Sequence, residues 1–348
     1  MNPKKFIAAT VATMTMATGV FAQANLTAET ASPGGATYLS LAHLTEIAGT
    51  NGVASIQLAD GQTLTNSIQN VAEGKTDIAG TPYILPFLMS RGVGPYGSLG
   101  KEKGAELASN LRAINPFVLG VFFLFAYDAK GVDGWDDLKG RKIYNGPPRG
   151  GALTNARSMI QIVAGLKDGE DYEGLQVNWG QGTTLVTSGE PDAVVLPELF
   201  PSSRLTAVTA AGKMTGWSMP KAAYESEGMQ KYIKAPGSAP FTTKIADLEA
   251  AMGDDWTFIS EDDTFRAFAT IGGNVVNKDM DDALVEELVA TYISTLDELK
   301  AKAPFGDTVG YDFPMQGMCG ANPVQYHPAA ARAWREAGFE IDDCAVAD

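Results

Sequence analysis

Residues 32–41 read SPGGATYLSL and residues 148–157 read PRGGALTNAR. Each places Gly-Gly-Ala at the start of an apolar-periodic segment: Tyr38, Leu41, Thr45 and Ala48 in the first, Leu153, Ala156, Ile160 and Val163 in the second. Recurrence every three to four residues is the helical signature. Both segments are therefore expected to be helices reached through a glycine turn, with Ser32 and Pro33 supplying cap and first-turn signals in the first. The likeness extends along the chain. EGKTDIAGTP at 73–82 matches SGEPDAVVLP at 188–197: a glycine ends a helix, an aspartate opens a short apolar strand, and a proline follows. Gly35 precedes Asp77 by 42 residues and Gly151 precedes Asp192 by 41. Two α/β units of one plan, about 115 residues apart, explain this more economically than chance likeness of glycine-rich turns.

Strands alternating with helices imply two α/β lobes, each with a largely parallel sheet. FVLGVFFLFAY, from Phe117 to Tyr127, is too short to span a bilayer and suits a strand buried on both faces. The chain is expected to cross between lobes there and to return near Phe265–Val276. Asp281–Ala303 then reads as a helix, with Val285, Leu288, Val289, Tyr292, Leu296 and Leu299 along one face.

The 348 residues carry 26 Lys+Arg against 41 Asp+Glu, a net charge of −15 that argues against a nucleic-acid or anionic-membrane surface. It leaves room for a local basic pocket. Two His and two Cys, with no HExxH or CxxC, are too few for most zinc or iron–sulfur sites, and no metal or cofactor is expected. Residues 1–24, MNPKKFIAATVATMTMATGVFAQA, read as a signal peptide: Lys4 and Lys5, an apolar run, then a cut after Ala22 or Ala24. Its removal takes the charge from −15 to −17. With no Cys at the cut, a soluble exported chain is expected. Cys319 and Cys344 then meet an oxidising compartment, where they form a disulfide or remain two free thiols.

In α/β sheets ligands sit beyond the carboxyl ends of strands, where helix N-termini attract anions. Ser32–Thr37 and Pro148–Thr154 have this character, and the second adds Arg149, suited to gripping a carboxylate. A third candidate is Gly61–Asn66, where Gln62, Thr63 and Asn66 cluster at the start of a helix with the apolar face Leu64, Ile68 and Val71. The loops after the matched strands, Thr81-Pro82-Tyr83 and Pro197-Glu198-Leu199, are expected to face the same cleft. Tyr83 serves equally as core. Glu198 would repel an acid unless it turns away or meets an amino or hydroxyl group.

Gly92-Val93-Gly94-Pro95-Tyr96-Gly97 satisfies GxGxxG, yet Pro86 spoils a preceding strand and Pro95 sits inside the motif, so a loop is expected. Catalysis lacks its parts. No GxSxG elbow occurs, His43 reads as a packed or solvated helix residue, and His327 before Pro328 reads as a cap. The acidic runs at 254–255 and 261–263 read as solvated loops.

The SPGG turn, EGKTD, DLKGRKIYNGPPRGG (137–151), SGEPDA (188–193) and the terminal YHPAAARAWREAG (326–338) together resemble the TAXI solute receptors of TRAP transporters. The likeness runs from Leu26 to Phe339. It implies an α/β, two-lobed periplasmic-binding-protein type II fold with a ligand cleft between the lobes and two crossover strands. Family contact positions carry over at Ser32, Gly34, Gly35 and Tyr38, and at Gly150, Gly151 and Ala152. The chain departs from the family at Pro33, at PPRGGAL, which adds Arg149, and at HPAA.

On this reading residues 1–24 are the signal peptide and 25–116 the first part of lobe 1. Lobe 2 with the first crossover spans 117–264, and 265–348 return to lobe 1. The expected function is a periplasmic, monomeric, non-enzymatic receptor. It would capture a small carboxylate, glutamate-like or dicarboxylic, by hinge closure. Ser32, Gly34, Gly35, Tyr38, Gln62, Thr63, Asn66, Pro82, Tyr83, Arg149, Gly150, Gly151, Ala152, Thr154 and Glu198 are the candidate ligand residues. The partner would be an ion-gradient-driven TRAP permease with small and large subunits, separate or fused. Rival readings are a receptor of a tripartite tricarboxylate or ABC importer, an exported enzyme on the same scaffold, and a surface interaction protein.

Overall fold

The computed structural model describes residues 23–31, 33–148, 151–303, 305–311, 318–319 and 324–348. The expected signal peptide, through Ala22, and Ser32, Arg149 and Gly150 lie outside them. Twelve strands form one mixed sheet: β1 (Ala24–Glu29), β2 (Ala54–Ala59), β3 (Ile78–Pro82), β4 (Leu111–Tyr127), β5 (Lys142–Tyr144), β6 (Glu173–Leu175), β7 (Ala193–Glu198), β8 (Met214–Trp217), β9 (Ser238–Lys244), β10 (Trp256–Ile259), β11 (Thr264–Asn277) and β12 (Gln325–Tyr326).

The two halves have one strand order. The first runs β2-β1-β3-β11-β4-β12, and the second runs β6-β5-β7-β4-β8-β10. In the first, β1 is parallel to β2 and β3, and β11 is antiparallel to β3 and β4. In the second, β5 is parallel to β6 and β7, and β4 is antiparallel to β7 and β8. β11 thus plays in one half the part that β4 plays in the other. Both long strands belong to both halves, as expected for crossovers, and the first begins at Leu111, earlier than its apolar run.

The echoed residues have a shared structural job. Gly74 and Gly189, each at φ 70°, end their helices in the left-handed region that glycine tolerates. Asp77 Oδ2 then accepts from Thr27 N (2.7 Å), and Asp192 Oδ2 accepts from Lys142 N (2.9 Å). Each aspartate ties the third strand of its half to the first.

β4 alternates across the sheet. Val121, Phe123 and Phe125 enter one core cluster, and Phe122, Leu124 and Ala126 the other. The run is therefore apolar throughout because both faces are covered. Phe123, Phe200, Trp256, Phe258 and Phe265 pack as an aromatic group under the second half.

Local details refine these expectations. Gly35 stands at the N-cap of the Ala36–Thr50 helix with no side-chain cap bond, and Ser32, the expected cap, lies outside the described residues. The helix expected over Asp281–Ala303 is two, Asp282–Ser294 and Leu296–Ala301. The break falls at Thr295, whose Oγ1 bonds back to Thr291 O and also to His43 Nε2. The GxGxxG stretch follows a helix, Ile84–Arg91, and forms a 3-10 turn over Gly94–Leu99, so no dinucleotide fingerprint is built.

Cys319 and Cys344 are joined by a disulfide, their Cα atoms 5.3 Å apart. It ties the C-terminal tail to Cys319, and the tail also bonds to β12, where Gln325 Nε2 donates to Cys344 O and Ala347 N to Tyr326 O. His327 caps the Pro328–Glu336 helix, its Nδ1 accepting from Ala329 N. Among the described residues no helix is long and apolar enough to cross a membrane.

Candidate ligand cleft

Because β1–β3 are mutually parallel and so are β5–β7, the loops that follow them gather at the carboxyl edge of each half. That is where open α/β sheets hold ligands. A cleft of about 350 Å³ lies there, lined from both halves. The first half contributes Pro82 at the end of β3, with Ile84 and Leu85. The crossovers contribute Leu119, Phe122, Thr270 and Ile271. The second half contributes Gly151, Ala152 and Asn155, at the start of the Gly151–Ala164 helix, with Trp179 and Pro197. Pro236, Gly237 and Ser238 complete it. A wider groove of about 540 Å³ lies between the Asp282–Ser294 and Pro328–Glu336 helices, and only those helices and the residue after the second line it. It joins no strand ends.

Of the residues singled out in the sequence as cleft-facing, Pro82, Gly151, Ala152 and Pro197 line the cleft. Gly34, at φ 101°, and Gly35 form the exposed turn before the Ala36–Thr50 helix, and Tyr38 is half-buried in its first turn. That turn approaches β3 closely: a Cβ on Gly80 would lie 3.0 Å from Thr37 O, so a side chain at 80 would push the helix away. Gln62, Thr63 and Asn66 are exposed around the start of the Leu64–Ala72 helix and do not line the cleft. Gln62 Nε2 donates to Asp60 O at 2.8 Å. Thr154 is exposed in the first turn of its helix.

Tyr83 and Glu198 are buried and do not line the cleft. Tyr83 is fully buried, and its hydroxyl rests against Gly273, where a Cβ would lie 2.1 Å from it. Burial pushes the phenol well above its usual range, so it stays neutral core. Glu198 is 3% exposed, with Oε1 accepting from Arg204 Nε (2.8 Å) and Oε2 from Ser202 Oγ (2.9 Å). Burial pushes its carboxyl up, and the Arg204 guanidinium and the Ser202 hydroxyl pull it back. Its bonding capacity goes to its own half.

Trp179 is the residue that sequence reasoning missed. It opens the Trp179–Thr187 helix, is 38% exposed, and carries Arg204 over its ring, 4.5 Å from the centroid. A signal existed in the echo. Trp179 stands 13 residues before Asp192, and Leu64, first residue of the matching helix, stands 13 before Asp77. Asn155 is held by Tyr232, whose Oη donates to its Oδ1. Among the described residues no Lys, Arg, Asp or Glu lines the cleft.

A model of the NMT1-like family matches residues 28–338. Among solved structures, the chain is similar to a TRAP periplasmic solute-binding protein from Rhodobacter sphaeroides in an apo open form. The two share 15% identity over 92% of this chain and 85% of that one, with a TM-score of 0.42. Another is the periplasmic aliphatic sulphonate-binding protein SsuA of Escherichia coli, with 12% identity over 82% and 78% and a TM-score of 0.43. A third is the apo ectoine-binding protein TeaA of the TeaABC TRAP transporter, with 11% identity over 90% of each chain and a TM-score of 0.46. No curated protein matches the chain.

Proposed function

The chain belongs to the NMT1-like family, and from that premise we propose that it is a periplasmic receptor that closes on a small organic acid and delivers it to a membrane permease. One observation carries the reading: the cleft is lined from both halves, and the halves are joined through β4 and β11. Lobes connected by two strands rotate about them at little cost in buried surface. A solute touching both lobes stabilises the closed form by its differential contacts.

The acid's carboxylate sits at the N-terminus of the Gly151–Ala164 helix, where the helix dipole favours negative charge. Gly151 and Ala152 allow close approach there, and Arg149, just before that helix, supplies the counter-charge. The turn at Ser32–Gly35, with Tyr38 and the exposed Gln62, Thr63 and Asn66, meets the solute from the first half on closure. The quoted TAXI-like motifs support a TRAP permease as recipient, with a glutamate-like or dicarboxylic acid as the family's usual cargo. Of the two signal-peptide cuts, the one after Ala22 leaves β1 whole, since Ala24 already pairs with Ala54.

The test is titration calorimetry of the mature protein against a panel of carboxylates, with Arg149→Ala in parallel. Loss of a charge-assisted pair worth about 1.5–3 kcal/mol weakens affinity roughly 10- to 100-fold. The melting temperature of the empty protein stays within about a degree, because a charge that acts on the ligand is not needed by the empty fold. Unchanged affinity would remove Arg149 from the site, and a panel without a binder would remove the receptor reading.

A further inference from the structure

The cleft is built for a flat apolar body more than for a second charge. Pro82, Ile84, Leu85, Leu119 and Ile271 line it, and no charged side chain does so among the described residues. An ionised group enclosed without a partner loses several kcal/mol of solvation. A dicarboxylate or an amino acid would bring such a group against this lining. An acid with one charge and an apolar body would not.

Trp179 gives that body a seat. A large aromatic that stays 38% exposed at a cleft wall has contact area to offer. Its ring is fixed from one side by Arg204, itself anchored by Glu198 Oε1 at 2.8 Å and Pro197 O at 3.1 Å. The guanidinium lies over the indole ring, and the residue also lines the cleft. Phe122, stacked on Phe268 at 4.8 Å with 7° between planes, sets a second fixed ring in the lining. The volume, about 350 Å³, is at the small end of ligand pockets and has room for an aryl acid.

Resting on the receptor reading above, we infer that the solute is a monocarboxylic acid with a planar, aryl-like body stacked on Trp179. Its carboxylate points to the Gly151–Ala164 helix, and Asn155 Nδ2 donates to it or to a ring substituent.

The experiment is calorimetry on the mature protein with benzoate, phenylacetate, hexanoate, succinate, glutamate and the neutral benzamide, alongside Trp179→Ala and Trp179→Phe. Aryl acids are expected to bind at least tenfold more tightly than succinate or glutamate, and benzamide to bind poorly. Trp179→Ala should lower aryl-acid affinity about tenfold while changing hexanoate less than threefold, and Trp179→Phe should restore most of the loss. The melting temperature of each empty variant confirms folding. Tighter binding of succinate or glutamate, or an equal loss for all acids in Trp179→Ala, overturns the inference and leaves the receptor reading standing. Absence of binding by every acid overturns both.

Discussion

His43 is 1% exposed and engaged at both ring nitrogens, Nε2 with Thr295 Oγ1 (2.9 Å) and Nδ1 with Lys302 Nζ (2.8 Å). An ammonium only donates, so Nδ1 accepts and the ring proton sits on Nε2. Burial, with Lys302 beside it, holds the pKa down to about 4, although Glu46 pulls the other way. The unfolded chain takes up this proton near pH 6.5, the folded chain only near 4. The stability contributed is therefore fully present above pH 6.5 and is lost as pH falls through that window toward 4. Melting temperature should fall more steeply from pH 6.5 to 4 in the wild type than in His43→Gln, whose amide can still donate to Thr295. Parallel slopes would assign the acid lability elsewhere. At this scale the sequence was only partly legible. A histidine or tyrosine inside an apolar segment reads the same whether it faces core or ligand, and Tyr83 turned inward only because Gly273 leaves space for its hydroxyl.

At the scale of elements, the aspartate before β3 and the one before β7 carry the likeness of the halves. Asp192→Ala removes a charge-assisted bond to Lys142 N and should cost about 1 kcal/mol in urea unfolding. Asp77→Ala should cost more, because Asp77 Oδ2 also accepts from Thr27 Oγ1 at 2.8 Å. Equal, negligible losses would make both aspartates bystanders. These elements were readable because glycine, aspartate and apolar periodicity act locally. The break at Thr295 was not, since it depends on His43, distant in sequence. Trp179 hid for another reason: a tryptophan and a leucine at matching helix starts look unrelated until the strand order aligns them.

For the whole molecule, two lobes and two crossings followed from one repeated pattern, whereas the cleft lining required the third dimension. Its residues come from stretches separated by up to 189 positions, Pro82 to Ile271, with no shared spacing. The Cys319–Cys344 bond acts on the other end of the shared strand. It closes the tail that bonds to β12, which pairs with Arg112 and Ala113, while Leu119 and Phe122 line the cleft. Cys344→Ser should lower unfolding free energy by roughly 3 kcal/mol, as expected for opening a loop of this size. Solute affinity should change less than twofold in the same preparation. A large affinity loss would mean that the tail reaches the site.

β11 lies between β3 and β4, although it is made more than 130 residues after either begins to pair. During synthesis the first half therefore waits with a gap in its sheet until residue 277 exists. A chain threaded in this order cannot lock its first lobe early.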